Sequence, residues 1–217
     1  MRFLITAGPT REPLDPVRYL SNRSSGKMGY AIAAAALEEK HEVVLISGPV
    51  ALTAPLGTEL VRVTTGDEMF AALSAQFLLC DVFVMCAAVC DYKPVQRASE
   101  KMKKQRTRFS LELEPTRDIL ASLTSQPHNC FVVGFAAETE TLAANAQRKL
   151  TEKNCDLLIA NDVGRADIGM DADDNEVIIF SKSGAPRKLP RQKKTELARA
   201  LIKIILEVRE NCLTKKT

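Results

Sequence analysis

A chain of 217 residues, 46% of them apolar, can bury one sizeable core, so a single domain over residues 1–217 is the expectation. A formal charge of +3 is too small to imply nucleic acid. No apolar run approaches the length of a membrane span, and Met1 stands directly before a charged residue and a first strand, which argues against a signal peptide and for a cytoplasmic protein.

The pattern predicts a strand over 2–6, a helix over 28–39 with an alanine-rich face, and strands over 42–47 (EVVLIS) and 60–63. A helix over 66–79, capped by Thr65 or Asp67, leads to a buried strand over 82–87 (VFVMCA). After an irregular stretch come a short helix over 118–125, a strand over 131–136 (FVVGFA), a helix over 141–153, strands over 156–160 and 176–181, and a helix from about 193 to 210. Continuous apolar strands separated by helices define an α/β fold, Rossmann-like and doubly wound, with a mainly parallel sheet covered on both faces. Ligands in such folds sit outside the carboxyl ends of strands, and the informative loops 7–27, 87–104, 136–140 and 161–174 all follow strands. The cysteines (Cys80, Cys86, Cys90, Cys130, Cys155, Cys212) form no Cys-x-x-Cys pair and read as free thiols, three of them on apolar strands.

The first of these loops, within ITAGPTREPLDPVRYLSNRSSGKMG (residues 5–29), is made of turn formers and polar donors, including Arg11, Arg18, Arg23, Asn22 and Lys27, and opens into a helix. A strand, a donor-rich loop and a helix N-terminus form a ready anion site, because unpaired N–H groups and the positive dipole end point at whatever docks. The glycines do not fit a dinucleotide fingerprint, and no acid ends the second strand. Ser21 and Met28 stand where a Walker motif needs Gly and Ser or Thr. Ordinary NAD binding and P-loop hydrolysis are both disfavoured.

Two further stretches carry polar chemistry. In residues 86–118, Ala87 and Ala88 leave room for a ligand against the backbone and Asp91 follows at the mouth. The run Lys101-Met102-Lys103-Lys104, with Arg106 and Arg108 and the alternating FSLELE, suits an extended arm that folds over a polyphosphate. Its aromatic content, Tyr92 and Phe109, is too low for base stacking, which ranks nucleic acid last. In residues 133–163, Lys149 and Lys153 lie four apart on a helix face, and Asn161 and Asp162 sit at a strand end. No Ser-His-Asp set, metal-ligand cluster or paired carboxylates appear, so catalysis would rest on orienting a bound polyphosphate and stabilising its charge.

The blocks ITAGPTREPLDPVRYLSNRSSGKMGYAIA, SGPV, AAVCDYKP, EKMKK, VGFAAET and ANDV, in this order, resemble phosphopantothenate–cysteine ligase, the bacterial phosphopantothenoylcysteine synthetase of coenzyme A biosynthesis. The resemblance implies a Rossmann-like homodimer with an active-site flap. It also implies condensation of 4'-phosphopantothenate with L-cysteine, with CTP and Mg2+, through an acyl-cytidylate. Asn22 matches the asparagine that stabilises the reacting acyl centre, and Lys101 the flap lysine of cytidylate formation. Arg18, Gly8, Ser25 and Gly26 match the block that faces phosphopantothenate. Met85, Cys86, Ala87, Asp91, Arg117, Asp118, Ile119, Leu120, Phe135, Lys149 and Lys153 match CTP-binding positions, Lys101 again among them. Cys90 stands where the family usually has alanine, and Arg117 replaces a usual proline. The segment from Lys104 to Asp118 is a few residues shorter than usual. A decarboxylase portion usually precedes this domain, so either a stand-alone ligase or an excised domain is expected, with a phosphopantothenoylcysteine decarboxylase as a candidate partner. A short-chain reductase-like or non-catalytic Rossmann-type nucleotide binder is the competing class.

Overall fold

The computed structural model describes residues 1–104, 108–138, 142–162, 171–182 and 184–214. In chain order the elements are β1 (Arg2–Ala7), β2 (Arg11–Pro13), β3 (Tyr19–Ser21), α1 (Lys27–Glu38), β4 (Glu42–Ser47), β5 (Glu59–Arg62), α2 (Gly66–Gln76), β6 (Val82–Met85), β7 (Tyr92–Pro94) and β8 (Leu113–Pro115). There follow α3 (Ile119–Thr124), β9 (Phe131–Glu138), α4 (Leu142–Glu152), β10 (Leu157–Asp162), β11 (Asp174–Ser181), β12 (Arg187–Lys193) and α5 (Lys194–Thr214).

Consecutive apolar residues such as Phe3-Leu4-Ile5 and Val82-Phe83-Val84 are wholly buried, which a strand permits only when both sheet faces are covered. Side chains alternate between faces. Phe3 and Ile5 therefore join one core with α1 and α5, and Leu4 joins a second with Met69 and Leu73 of α2. The eight-stranded sheet runs β12-β11-β10-β9-β6-β1-β4-β5. The chain steps outward from β1 to β4 and β5, then returns on the other side of β1 to β6, so the winding reverses between β1 and β6. The mainly parallel, doubly wound expectation holds. At one end β11 and β12 run antiparallel.

Element boundaries moved for identifiable reasons. The strand expected over 82–87 ends at Met85, because the Cys86 and Ala87 N–H groups donate to Thr6 Oγ1 at 3.0 and 2.9 Å. The helix expected over 66–79 ends at Gln76 and tightens into a 3-10 turn at Phe77–Leu79. Thr65, not Asp67, caps it, closing a capping box with Glu68, an arrangement worth about 1 kcal/mol. β12 was not foreseen. Within FSLELE only the end is a strand, where β8 pairs with β7. None of the cysteines lies within a strand: Cys80, Cys130 and Cys155 precede strands, while Cys86 follows one.

Candidate functional site

The site is assembled from two strand-end loops tied together by backbone. Ala88 N–H donates to the Gly8 carbonyl at 2.9 Å, and Thr10 N–H to the Ala88 carbonyl at 3.2 Å. Asn22 adds a side-chain tie, its Nδ2 donating to the Ala88 carbonyl and its Oδ1 accepting from Ser24 N–H at 3.2 Å. Gly26, at φ 77°, turns the chain into α1. No side chain caps that helix and no acid occupies its first turn, so its leading N–H groups and positive dipole end stay open to a ligand. Gly29 lets α1 lie on β1, since a Cβ there would meet Thr6 O at 2.8 Å.

Where the winding reverses, a cavity of about 400 Å3 opens. Asn22, Ser25 and Gly26 line it from the first loop, and Cys86, Ala87 and Asp91 from the loop after β6. Phe135 comes from β9 and Lys149 from α4. Asn161 joins them, as the sequence suggested. Lys27, Asn175 and Lys194 complete the charged and amide part of the wall. Lys27, Lys149 and Lys194 against Asp91 make the described wall cationic, which suits a phosphate-bearing ligand.

Lys194 and Asn175 escaped sequence reasoning. Lys194 is 6% exposed at the start of α5, its Nζ donating to the Ala172 carbonyl at 2.5 Å. Burial pushes its pKa below the usual lysine value, nearby Lys27 pushes the same way, and Cys86 and Asp173 oppose. Lys27 donates to Asp173 Oδ1 at 2.6 Å and to the Asp171 carbonyl at 3.0 Å, and holds the Asp173 carboxyl below its ordinary range.

Other expected site residues lie elsewhere among the described contacts. The Arg18 guanidinium turns to Asp15 Oδ2 (2.6 Å) and to the Met102 carbonyl (2.5 Å). Gly8, at φ 76°, shapes the loop behind the cavity, and Met85 is buried with Thr6 Oγ1 on its sulfur. Arg117 stacks over the Phe70 ring at 4.3 Å. Asp118 caps α3 through Ala121 N–H and pairs with Lys153. Ile119 is core and Leu120 packs beside it. Lys153 falls one residue past the end of α4, its N–H still donating to the Lys149 carbonyl at 2.9 Å, but its ammonium pairs with Asp118. Lys101 is exposed and is not part of the described cavity wall. Arg106, residues 139–140 and most of the expected 161–174 loop lie outside the described residues, as does the Asp162 side chain, while 136–138 form the end of β9. The Cys86 thiol is pushed up to about 12 by burial. Burial also raises Cys90, against a hydrogen bond to Thr10. Both shifts work against thiolate formation at neutral pH.

A cationic cavity at the switch point of a doubly wound sheet, with an uncapped helix N-terminus in its wall, is the arrangement that suits a phosphate-bearing small molecule. The model of the DNA/pantothenate metabolism flavoprotein C-terminal domain matches residues 1–208, and the chain belongs to that family. It is 45% identical over 209 residues to the coenzyme A biosynthesis bifunctional protein CoaBC of Vibrio cholerae, covering 95% of this chain and 52% of that protein. It is 44% identical over 206 residues to CoaBC of Escherichia coli K12, covering 93% and 50%. The chain thus spans about half the length of these relatives. The crystal structure of the C-terminal domain of CoaBC superposes with a TM-score of 0.81 at 40% identity, covering 96% of each chain. A Cab2 mutant complexed with phosphopantothenate-cysteine shares the fold, with a TM-score of 0.79 at 19% identity over 100% of this chain and 89% of that one.

Proposed function

We propose that the chain is a phosphopantothenate–cysteine ligase that condenses 4'-phosphopantothenate with L-cysteine, using CTP. The observation that carries this is the cavity itself: Asn22, Ser25 and Gly26 on one loop face Asp91, Phe135 and Lys149, within a chain that matches the C-terminal domain of CoaBC along 96% of its length.

A carboxylate oxygen of phosphopantothenate attacks the α-phosphorus of CTP, breaking the α–β bridge and expelling pyrophosphate. The cysteine amine then attacks the acyl carbon, loses a proton and expels CMP. The first step piles negative charge around phosphorus, where the α1 N-terminus and the wall lysines stabilise it. In the second step the charge moves to the acyl oxygen. Asn22 Nδ2 carries two N–H bonds, one held by the Ala88 carbonyl, so its partner is aimed by a fixed amide. No group of three or more His, Cys, Asp or Glu gathers as a metal cage among the described residues. Magnesium is usually held by one or two carboxylates plus substrate phosphates, a donor set that Asp91 fits, and when bound it supplies charge neutralisation at the triphosphate. A homodimer and a decarboxylase, fused or separate, complete the reading as partners.

Incubation with CTP, phosphopantothenate and cysteine, followed by mass spectrometry, tests it. Phosphopantothenoylcysteine, CMP and pyrophosphate in equal amounts are expected, and substrates recovered intact overturn the proposal.

A further inference from the structure

The turn between β2 and β3, Leu14-Asp15-Pro16-Val17-Arg18, needs an acceptor for its own N–H groups, and Asp15 Oδ1 takes those of Val17 and Arg18, both at 2.8 Å. That local duty leaves Oδ2. It accepts Arg18 Nε at 2.9 Å and Nη2 at 2.6 Å, and also Met102 N–H at 3.1 Å, from a residue far along the chain. Arg18 Nη2 then donates to the Met102 carbonyl at 2.5 Å. Both backbone polar groups of Met102 are thereby held, and Ala98 N–H adds a third cross-link to the Leu14 carbonyl at 2.9 Å. The Asp15 side chain is wholly buried under these contacts while Lys101, Lys103 and Lys104 stay exposed.

A turn alone would be served by an asparagine or a serine. A buried carboxylate is expensive unless nearly every lone pair is used, and here donors come from both the turn and the arm. Burial raises the Asp15 pKa, but the N–H groups of Val17, Arg18 and Met102 and the Arg18 guanidinium outweigh it and hold the carboxyl far below its ordinary range. The charge therefore persists throughout the neutral range.

We infer that Asp15 is a positioning residue for cytidylate formation: through the Met102 backbone it holds the Lys101 arm against the turn whose loop continues to Asn22. Arg18 completes the same latch. This rests on the ligase reading and adds to it how the arm lysine and the wall asparagine share one frame. Displacing a charge stabiliser by about 1 Å costs roughly 10²-fold in rate, so loosening the latch acts on the first half-reaction and leaves cysteine attack alone.

The test uses the whole chain. Asp15→Asn, followed by rapid quench with labelled CTP and phosphopantothenate, is expected to slow acyl-cytidylate formation roughly 10²-fold. Consumption of supplied acyl-cytidylate by cysteine should keep its wild-type rate. Hydrogen exchange read by mass spectrometry should show the amides of residues 98–104 losing protection. Met102→Pro, which removes the donated N–H and keeps Asp15 and Arg18, should give the same split. Loss of arm protection with full cytidylate formation overturns the inference, as does an equal fall in both half-reactions, which marks general damage. Failure of the ligase reading would show instead in the wild-type chain, as no cytidylate at all.

Discussion

The cavity wall and the lysine arm handle charge in opposite ways. In the wall, the loops after β1 and β6 are zipped by backbone hydrogen bonds, and the cation at the start of α5 is buried. In the arm, the lysines are exposed and the described backbone anchors are at Ala98 and Met102. A wall built this way is preorganised, so its donors need no rearrangement when charge develops. On the ligase reading, an arm held at a few points would open at low free-energy cost to exchange substrate and product. On that reading the arm's Lys101 joins the wall cations in the first half-reaction, and the fixed amide of Asn22 serves the second.

Paired substitutions test that division most severely. Lys101→Gln is expected to cut acyl-cytidylate formation by about 10²–10³, the cost of one preorganised charge stabiliser. Asn22→Asp places a negative acceptor in the wall, so cytidylate should form and then accumulate when cysteine is added. Rapid quench with labelled CTP reads both. If the two variants fail at the same step, wall and arm do not divide the reaction.

A smaller effect is expected from Lys194→Met. Loss of one charged hydrogen-bond donor is worth about 1.5 kcal/mol, hence roughly tenfold in the KM of a phosphate-bearing substrate, with the KM for cysteine unchanged. The same variant sharpens the electrostatics. Because the folded-state pKa of Lys194 is lowered, its charged form is penalised by folding at neutral pH, and that penalty fades as pH rises toward the ordinary lysine value. Melting curves should show the variant's advantage largest near neutral pH and shrinking as pH rises toward the ordinary lysine value. A difference that does not vary with pH would place the lysine in solvent, and an advantage that grows with pH would mean that a partner raises its pKa.

The least change concerns Cys90. With its thiol pKa raised by burial, alkylation at neutral pH should be slower than for a free thiol and indifferent to CTP, as followed by peptide mass spectrometry. Fast labelling that CTP blocks would move the residue into the nucleotide site.

Much of this was legible because the parallel strands are apolar without interruption and the polar loops between them have no folding reason to be so rich in donors. What stayed hidden has physical causes. RKLPRQK, with four cations and a proline, reads as a loop and becomes β12 only by pairing with β11 at the rim. Lys194 sits in the charged run RQKKTE, where nothing local separates a buried lysine from its exposed neighbours; only the packing at the start of α5 buries it. Arg18 was legible as a functional arginine, but its partner Met102 is distant in sequence and no local pattern points to it.

The two rims of the main sheet carry a further consequence. At one rim β12 presents Arg187, Lys188, Pro190, Arg191 and Lys193, and at the other β5 is a four-residue strand bounded by Glu59 and Arg62. Like charges facing an incoming strand, a missing N–H at Pro190 and a short template all disfavour strand addition. The sheet is therefore terminated at both ends, which protects an apolar interior of this size from edge-to-edge stacking in a crowded solution.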